Sequence, residues 1–147
     1  MITGQYRNAL DDKGRLLVPS RLRQSIPGNT LVITSGLDRC LWLFPPEEWV
    51  QLSDQLMEAA SPFTRRARIL QRRIIAPAQE VELDKTGRVL VPPSLKETAG
   101  LQKDCILHGI KKYIEIWDVE EYERYLAESE AEFQEAAEEL GGSVSFF

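Results

Sequence analysis

Slid against itself by 73 residues, this 147-residue sequence matches itself without a gap, and no other feature limits its fold so strongly. Leu10-Asp11-Asp12-Lys13-Gly14-Arg15-Leu16-Leu17-Val18-Pro19 falls on Leu83-Asp84-Lys85-Thr86-Gly87-Arg88-Val89-Leu90-Val91-Pro92, Leu22 on Leu95, Ile33 on Ile106 and Gly36 on Gly109. Farther on, Phe44 meets Trp117, Glu47 and Glu48 meet Glu120 and Glu121, and Trp49 meets Tyr122, so each copy closes with an aromatic strand leading into a helix. The chain is a duplication. A unit of about 40 residues buries too little surface to stand alone, so the copies are expected to complete one another's core, or that of a neighbouring chain, as one barrel-like body.

Within each copy the residues predict a strand, a tight turn, a second strand, a short helix and a further hairpin. Asp followed three residues later by Gly suits a turn, because the Asp side chain accepts backbone N–H bonds and Gly takes a positive φ cheaply. Val18-Pro19 and Val91-Pro92 end the second strand, since a residue before proline avoids the helical region. Ser94-Leu95-Lys96-Glu97 fits a capping box, with Ser20 at the matching place in the first copy. Leu31 to Thr34, Leu41 to Phe44, Cys105 to Leu107 and Tyr113 to Trp117 are apolar or alternating runs that predict strands, with Gly36 and Gly109 at the bends between them. Pro46 to Ala76 predicts two helices broken near Ser61-Pro62, with apolar stripes of Trp49, Leu52 and Leu56, then Phe63, Ala67, Leu70 and Ile74. Val119 to Leu140 predicts a third, ended by Gly141-Gly142. The division expected is therefore a first repeat at 1–50, a helical insert at 51–77, a second repeat at 78–122 and an acidic helix and tail at 123–147.

The net charge of −5 argues against nucleic acid only until it is divided along the chain. Residues 1–112 hold 17 Lys and Arg against 12 Asp and Glu, whereas residues 113–147 hold one Arg against 11 acids. A basic body carries an acidic tail. No apolar run approaches the roughly 20 residues that cross a bilayer, and the N-terminus lacks the apolar centre of a secretory signal, so a cytoplasmic protein is expected. Cys40 and Cys105 lack metal-site or disulfide-framework spacing and are expected to be ordinary reduced thiols.

Two copies of Asp-x-x-Gly-Arg, each followed by an apolar strand ending in Pro, resemble the MraZ family of bacterial regulators, in the AbrB-like swapped-hairpin superfamily. The resemblance runs over nearly the whole chain and includes Leu37-Asp38-Arg39-Cys40-Leu41, the Arg-rich middle helix and Ile114-Glu115-Ile116-Trp117-Asp118. It implies an α+β fold: tandem swapped-hairpin β-barrel units with intervening and C-terminal helices, forming one pseudo-symmetric domain. It also implies a ring-shaped homo-oligomer that binds double-stranded DNA near the promoter of the cell-division and cell-wall gene cluster, and hence an association with the nucleoid. Carried over residue by residue, the motif residues are Asp11 with Arg15 and Asp84 with Arg88. Lys13 stands directly before Gly14, where the second copy has Thr86 before Gly87 and Lys85 one position earlier, so the two tips are expected to contact DNA unequally.

An arginine on a rigid turn can fork onto a guanine edge or a phosphate better than a flexible lysine can. On this reading Arg15, Arg88, Lys13 and Lys85 contact DNA, while Asp11, Gly14, Asp84 and Gly87 form the turns and orient the arginines. The bland alternative is a pair of ion pairs across the turns, worth up to about 1 kcal/mol each if exposed. Arg65, Arg66, Arg68, Arg72 and Arg73 resemble a nucleic-acid patch, yet they lie opposite an apolar stripe, which favours a solvated or oligomer-facing surface. Trp42, Trp49 and Trp117 recur with the repeat and are expected in core or interface. His108 has no patterned partner. The sequence has none of the common phosphate, dinucleotide, zinc or serine-nucleophile motifs, so neither catalysis, a cofactor, a metal nor a small-molecule substrate is expected. The competing function is an assembly or antitoxin-like module whose acidic tail binds a partner.

Overall fold

Neither copy keeps its first strand for itself: in the computed structural model, which describes residues 2–59 and 61–144, the first strand of each copy pairs with a strand of the other. The first copy comprises β1 (Ile2–Ala9), β2 (Arg15–Leu17), α1 (Ser20–Arg23), β3 (Thr30–Ser35) and β4 (Leu41–Phe44). Helix α2 (Pro46–Ala59) follows, then α3 (Arg65–Leu70), which runs on into one π-helical turn over Gln71–Ile75. The second copy comprises β5 (Gln79–Glu82), β6 (Arg88–Leu90), α4 (Pro93–Ala99), β7 (Asp104–Lys111) and β8 (Ile114–Asp118), and α5 (Val119–Gly141) closes the chain.

Strand β1 pairs with β7 and β5 with β3, each joining the first strand of one copy to the third of the other. Strands β4 and β8 pair across the centre, so one antiparallel sheet of six strands runs β1-β7-β8-β4-β3-β5. Strands β2 and β6 form a separate antiparallel pair. Side chains alternate across a strand, and one face of the large sheet supplies Leu31, Ile33, Leu41, Leu43, Leu107, Ile114 and Ile116 to a common core with Leu16 and Val89 of the small one. Leu22 of α1 and Leu95 of α4 fill the same core. The fold is α+β with antiparallel sheets, and the two sheets remain distinct.

Strand register corrects the gapless repeat. Leu41 pairs with Ile116 and Leu43 with Ile114, as an offset of 73 between β4 and β8 requires. Ile33 lies opposite Leu43, however, and Leu107 opposite Ile116, so the counterpart of Ile33 is Leu107 and not Ile106. The second copy gains one residue before β7 and loses one in its hairpin, where Ile110 bonds Tyr113 while Gly36 bonds Cys40. Gly109 accordingly is not a bend: it lies inside β7, where a Cβ would stand 2.7 Å from Thr3 Cα of β1.

The expected capping box does not form. Pro92 holds the N-cap position of α4 and Pro93 opens the helix, a site where fixed φ and a missing N–H cost nothing. Ser94 therefore already lies within the first turn. The helical insert breaks where expected, but Phe63 precedes α3 and is 93% exposed, whereas Ala67 and Ile74 are buried. The Thr34 hydroxyl donates to the Ile74 carbonyl at 2.6 Å, which places α3 on the face of the large sheet opposite the core. Helix α5 starts on that face as well, with Tyr122 against His108 and Trp117. Asp118 caps it, accepting from the amides of Glu120 at 3.1 Å and Glu121 at 3.3 Å.

Candidate nucleic-acid interface

Both Asp-x-x-Gly-Arg turns close in the same way. Asp11 N–H donates to the Arg15 carbonyl at 2.9 Å and Gly14 N–H to the Asp11 carbonyl at 3.0 Å, and the Asp84 and Gly87 bonds have the same lengths. Gly14 at φ 81° and Gly87 at φ 82° sit in the left-handed region that L side chains resist. Asp11 Oδ1 accepts the amides of Lys13 and Arg15, both at 2.9 Å. Asp84 Oδ1 accepts the amides of Thr86 at 2.8 Å and Arg88 at 3.0 Å.

The two turns then lock together. Val18 N–H donates to the Gly87 carbonyl at 2.9 Å and Val91 N–H to the Gly14 carbonyl at 3.0 Å. Between these bonds Leu16 lies opposite Val89, with Arg15 opposite Leu90 and Leu17 opposite Arg88. Leu16 and Val89 are fully buried, so alternation turns Arg15, Leu17, Arg88 and Leu90 to the outer face of the ribbon. The two arginines are diagonal neighbours, about 7–8 Å apart by the usual cross-strand spacing. Lys13 and Lys85 are exposed in the turns at opposite ends of the ribbon.

The arginines differ in how they are held. Arg15 Nε donates to Asp11 Oδ2 at 2.8 Å. In the second turn the Thr86 hydroxyl bonds Asp84 Oδ1 at 2.7 Å. Of the two ion pairs considered from sequence, only the first is formed among the described residues; Arg88 meets Asp84 through its amide.

Bonding to the charged form lowers both carboxyls. Asp11 is held below its ordinary value chiefly by the Arg15 amide, and Asp84 is brought down to about 2 chiefly by the Thr86 hydroxyl and then the Arg88 amide, with Arg15 also contributing through its charge. A carboxyl depressed in the folded state stabilises it above the unfolded pKa and loses that contribution as pH falls through the folded one. Lowering the pH from the ordinary 3.8 towards 2 should therefore release the second turn. In NMR titrations the amides of Thr86 and Arg88 should move with a midpoint near the lower value; a midpoint at the ordinary value would mean that the carboxylate does not hold the turn.

The arginines of the middle helix are not brought to this ribbon. Arg65, Arg66, Arg72 and Arg73 are exposed on α3 and its π-helical turn, with the six-stranded sheet between them and the β2–β6 pair. The tryptophans are structural: Trp42 and Trp117 each donate an indole N–H to Glu115 at 3.1 Å, and Trp49 packs on Phe44 at 5.4 Å between centroids. His108 is buried against Tyr122, its Nε2 has no hydrogen-bond partner among the described residues, and burial lowers its pKa and favours the neutral ring. Cys40 and Cys105 are buried and free, and burial raises both thiols, Cys105 to about 12. Among the described residues no group of His, Cys, Asp and Glu could hold a metal ion, and no helix is long and apolar enough to cross a membrane.

Sequence reasoning missed three contributors. Leu17 and Leu90 on the ribbon's outer face were legible in the alternation around Leu16 and Val89. Arg23 carried no signal: its Nε donates to the Val18 carbonyl at 2.8 Å, and its guanidinium covers Gly87, where a Cβ would stand 2.6 Å from Cζ. Position 96, its counterpart in the second copy, is a lysine.

A family model described as "MraZ protein, putative antitoxin-like" matches the chain twice, over residues 1–73 and 74–142. A Treponema denticola protein named transcriptional regulator MraZ is 50% identical over 140 residues, covering 95% of this chain and 97% of that protein. Proteins of the same name from Treponema pallidum and Heliobacterium modesticaldum are 49% and 45% identical; they cover 94% and 95% of this chain, and 93% and 96% of their own lengths are matched. The names are those of regulators, not of enzymes.

Proposed function

This chain belongs to the MraZ family, and we propose that it is a sequence-specific DNA-binding transcriptional regulator acting as a homo-oligomer. The observation that carries the reading is the β2–β6 ribbon, which presents Arg15 and Arg88 from one rigid face. A two-stranded antiparallel ribbon fits the major groove, about 12 Å wide, where arginine bonds bidentately to guanine. Leu17 and Leu90 on the same face suit the methyl group of thymine. Lys13 and Lys85, at the two ends, are placed to meet phosphates, which add salt-dependent affinity without sequence information.

The two ends are unequal partners. Arg15 arrives already oriented by Asp11, whereas Arg88 must be ordered by the DNA, which costs side-chain entropy. The division of labour follows the sequence: repeats at 1–50 and 78–122 carry the DNA contacts, and the insert at 51–77 with the acidic segment at 123–147 serves assembly. The fold proposed for the repeats is the swapped-hairpin barrel of the superfamily, and the target is the promoter of the cell-division and cell-wall cluster, with the protein resident on the nucleoid.

Footprinting on DNA upstream of its own gene tests the function and defines the site together. A protected segment whose affinity falls with salt, and which a shuffled duplex does not reproduce, is the expected result. Equal affinity for both duplexes would reduce the ribbon to a nonspecific contact, and no binding to either would leave the assembly or antitoxin-like reading.

A further inference from the structure

Arg23, from the first copy, is built into the turn of the second. Its Nε donates to the Val18 carbonyl at 2.8 Å, and Val18 N–H in turn donates to the Gly87 carbonyl at 2.9 Å. A Cβ at Gly87 would stand 2.6 Å from Cζ, 2.6 Å from Nη1 and 2.8 Å from Nε of Arg23. Three atoms at nearly one distance mean that the face of the guanidinium, not its edge, lies over the glycine. The donors point outward in the guanidinium plane, so the fork of Nη1 and Nη2 stays open. Among the described residues neither terminal nitrogen has a hydrogen bond or an ion pair. The first turn lacks this cover: beyond the chain neighbours of Gly14, the nearest atom to a Cβ there is Leu90 Cδ1 at 4.0 Å.

Arg23 borders a polar cavity of about 390 Å³ at that end of the ribbon, with Asn29, Asp84 and Lys85 and the glycines Gly28 and Gly87 around it. The loop that carries Asn29 is tied to the second turn, since Leu83 N–H donates to the Asn29 carbonyl at 2.8 Å. Arg23 and Lys85 bring two positive charges. The carboxylate among these residues, Asp84, is engaged with its own turn through Oδ1, which accepts the amides of Thr86 and Arg88 and the Thr86 hydroxyl. A guanidinium fork beside an ammonium and an amide suits phosphate, which takes a bidentate fork and further donors together. The position in the fold says which phosphate. The β2–β6 ladder has three residue pairs, about 10 Å at roughly 3.4 Å per residue, so laid across a major groove about 12 Å wide it ends beside the phosphate walls.

We propose that Arg23, with Lys85 and Asn29, holds one phosphate of the DNA backbone beside the second turn, and so anchors the ribbon end whose Arg88 is not oriented by its own aspartate. The grip is one-sided, because the matching position 96 is a lysine and Gly14 is left uncovered. The inference rests on the DNA reading above and adds to it a residue outside the repeated motif.

Promoter duplexes carrying a single uncharged methylphosphonate linkage, moved step by step through the footprint, test the site with the full-length protein. One linkage should weaken the parent about fivefold to tenfold at about 0.1 M salt, the share of a single phosphate contact, and should cost Arg23→Gln nothing further. The slope of log affinity against log salt should flatten by about one unit in Arg23→Gln, with the preference for promoter over shuffled duplex unchanged, and Arg23→Lys, which keeps the charge, should restore it. Lys85→Gln, at an exposed side chain whose loss leaves the turn's bonds in place, should lose sensitivity to the same linkage. An Arg23 that only braces the turn gives a different result: Arg23→Gln would lose promoter preference yet still feel every linkage that the parent feels, and the proposal falls. A parent-like salt slope in Arg23→Gln overturns it as well, as does a Lys85→Gln protein that loses a different linkage. If the parent binds no duplex, the DNA reading and this site fall together; if the parent binds and no linkage depends on Arg23, the site alone falls.

Discussion

Arg15→Ala and Arg88→Ala together should abolish specific promoter binding while leaving the fold nearly intact. The Arg15–Asp11 pair is partly exposed, and such pairs contribute at most about 1 kcal/mol to stability. Among the described residues the Arg88 side chain has no hydrogen-bond or ion-pair partner to lose. A lost bidentate base contact costs about 1–3 kcal/mol of discrimination, roughly 5-fold to 160-fold in affinity for the correct site. The two losses add, and an oligomer multiplies them over its engaged ribbons. If either arginine contacts phosphate instead, its removal should weaken all sequences alike and flatten the salt slope by about one unit. Arg15→Lys separates charge from geometry, because it keeps the cation but removes the fork that Asp11 orients. Gel-shift titrations at several salt concentrations distinguish these outcomes. Normal binding by both alanine variants, with binding lost in folded Arg68→Ala or Arg72→Ala, would move the interface to the other face of the sheet.

Gly109→Val should be the most damaging change at a residue with no chemical role. A Cβ there would stand 2.7 Å from Thr3 Cα, 2.8 Å from Thr3 N and 2.9 Å from the Ile2 carbonyl carbon. These are backbone atoms, so no rotamer change relieves the overlap, and β1 must move away from β7. Overpacking typically costs about 1–3 kcal/mol, and here it acts on a ladder of eight residue pairs from Ile2 with Lys111 to Ala9 with Asp104. Because β1 leads directly into the first turn, and Asn8 of β1 also donates from Nδ2 to the Leu17 carbonyl of β2 at 3.0 Å, DNA affinity should fall along with stability. Denaturant unfolding gives the size of the loss. Gly142→Ala is the control: its Cβ would meet nothing closer than 3.7 Å and should change stability by less than about 0.5 kcal/mol. A Gly109→Val protein as stable as the parent would show that β1 and β7 are not packed this closely.

What the amino-acid sequence determined alone was local. The Asp-x-x-Gly-Arg turns, the strand ends at Val18-Pro19 and Val91-Pro92 and the break in the helical insert follow from bonds and φ preferences within a few residues, so reading along the chain finds them. The duplication was equally legible, because it is a property of the string. Register was not: an extra residue before β7 and a missing one after it cancel in a gapless slide, and only pairing across strands separates Ile106 from Leu107 as the partner of Ile33. The role of Gly109 was hidden for the same reason, since what forbids its Cβ is Thr3, 106 residues earlier in the chain, approaching at 2.7 Å. The difference between the two arginines, Arg15 with its Nε on Asp11 and Arg88 meeting Asp84 only through its amide, is one of side-chain rotamers, which a motif shared by both turns does not set. Most of all, the exchange of strands was decided by burial: half-units too small to hide their apolar faces pair across the repeat, and that pairing alone brings Arg15 and Arg88 onto one ribbon and leaves the arginines of α3 behind the sheet.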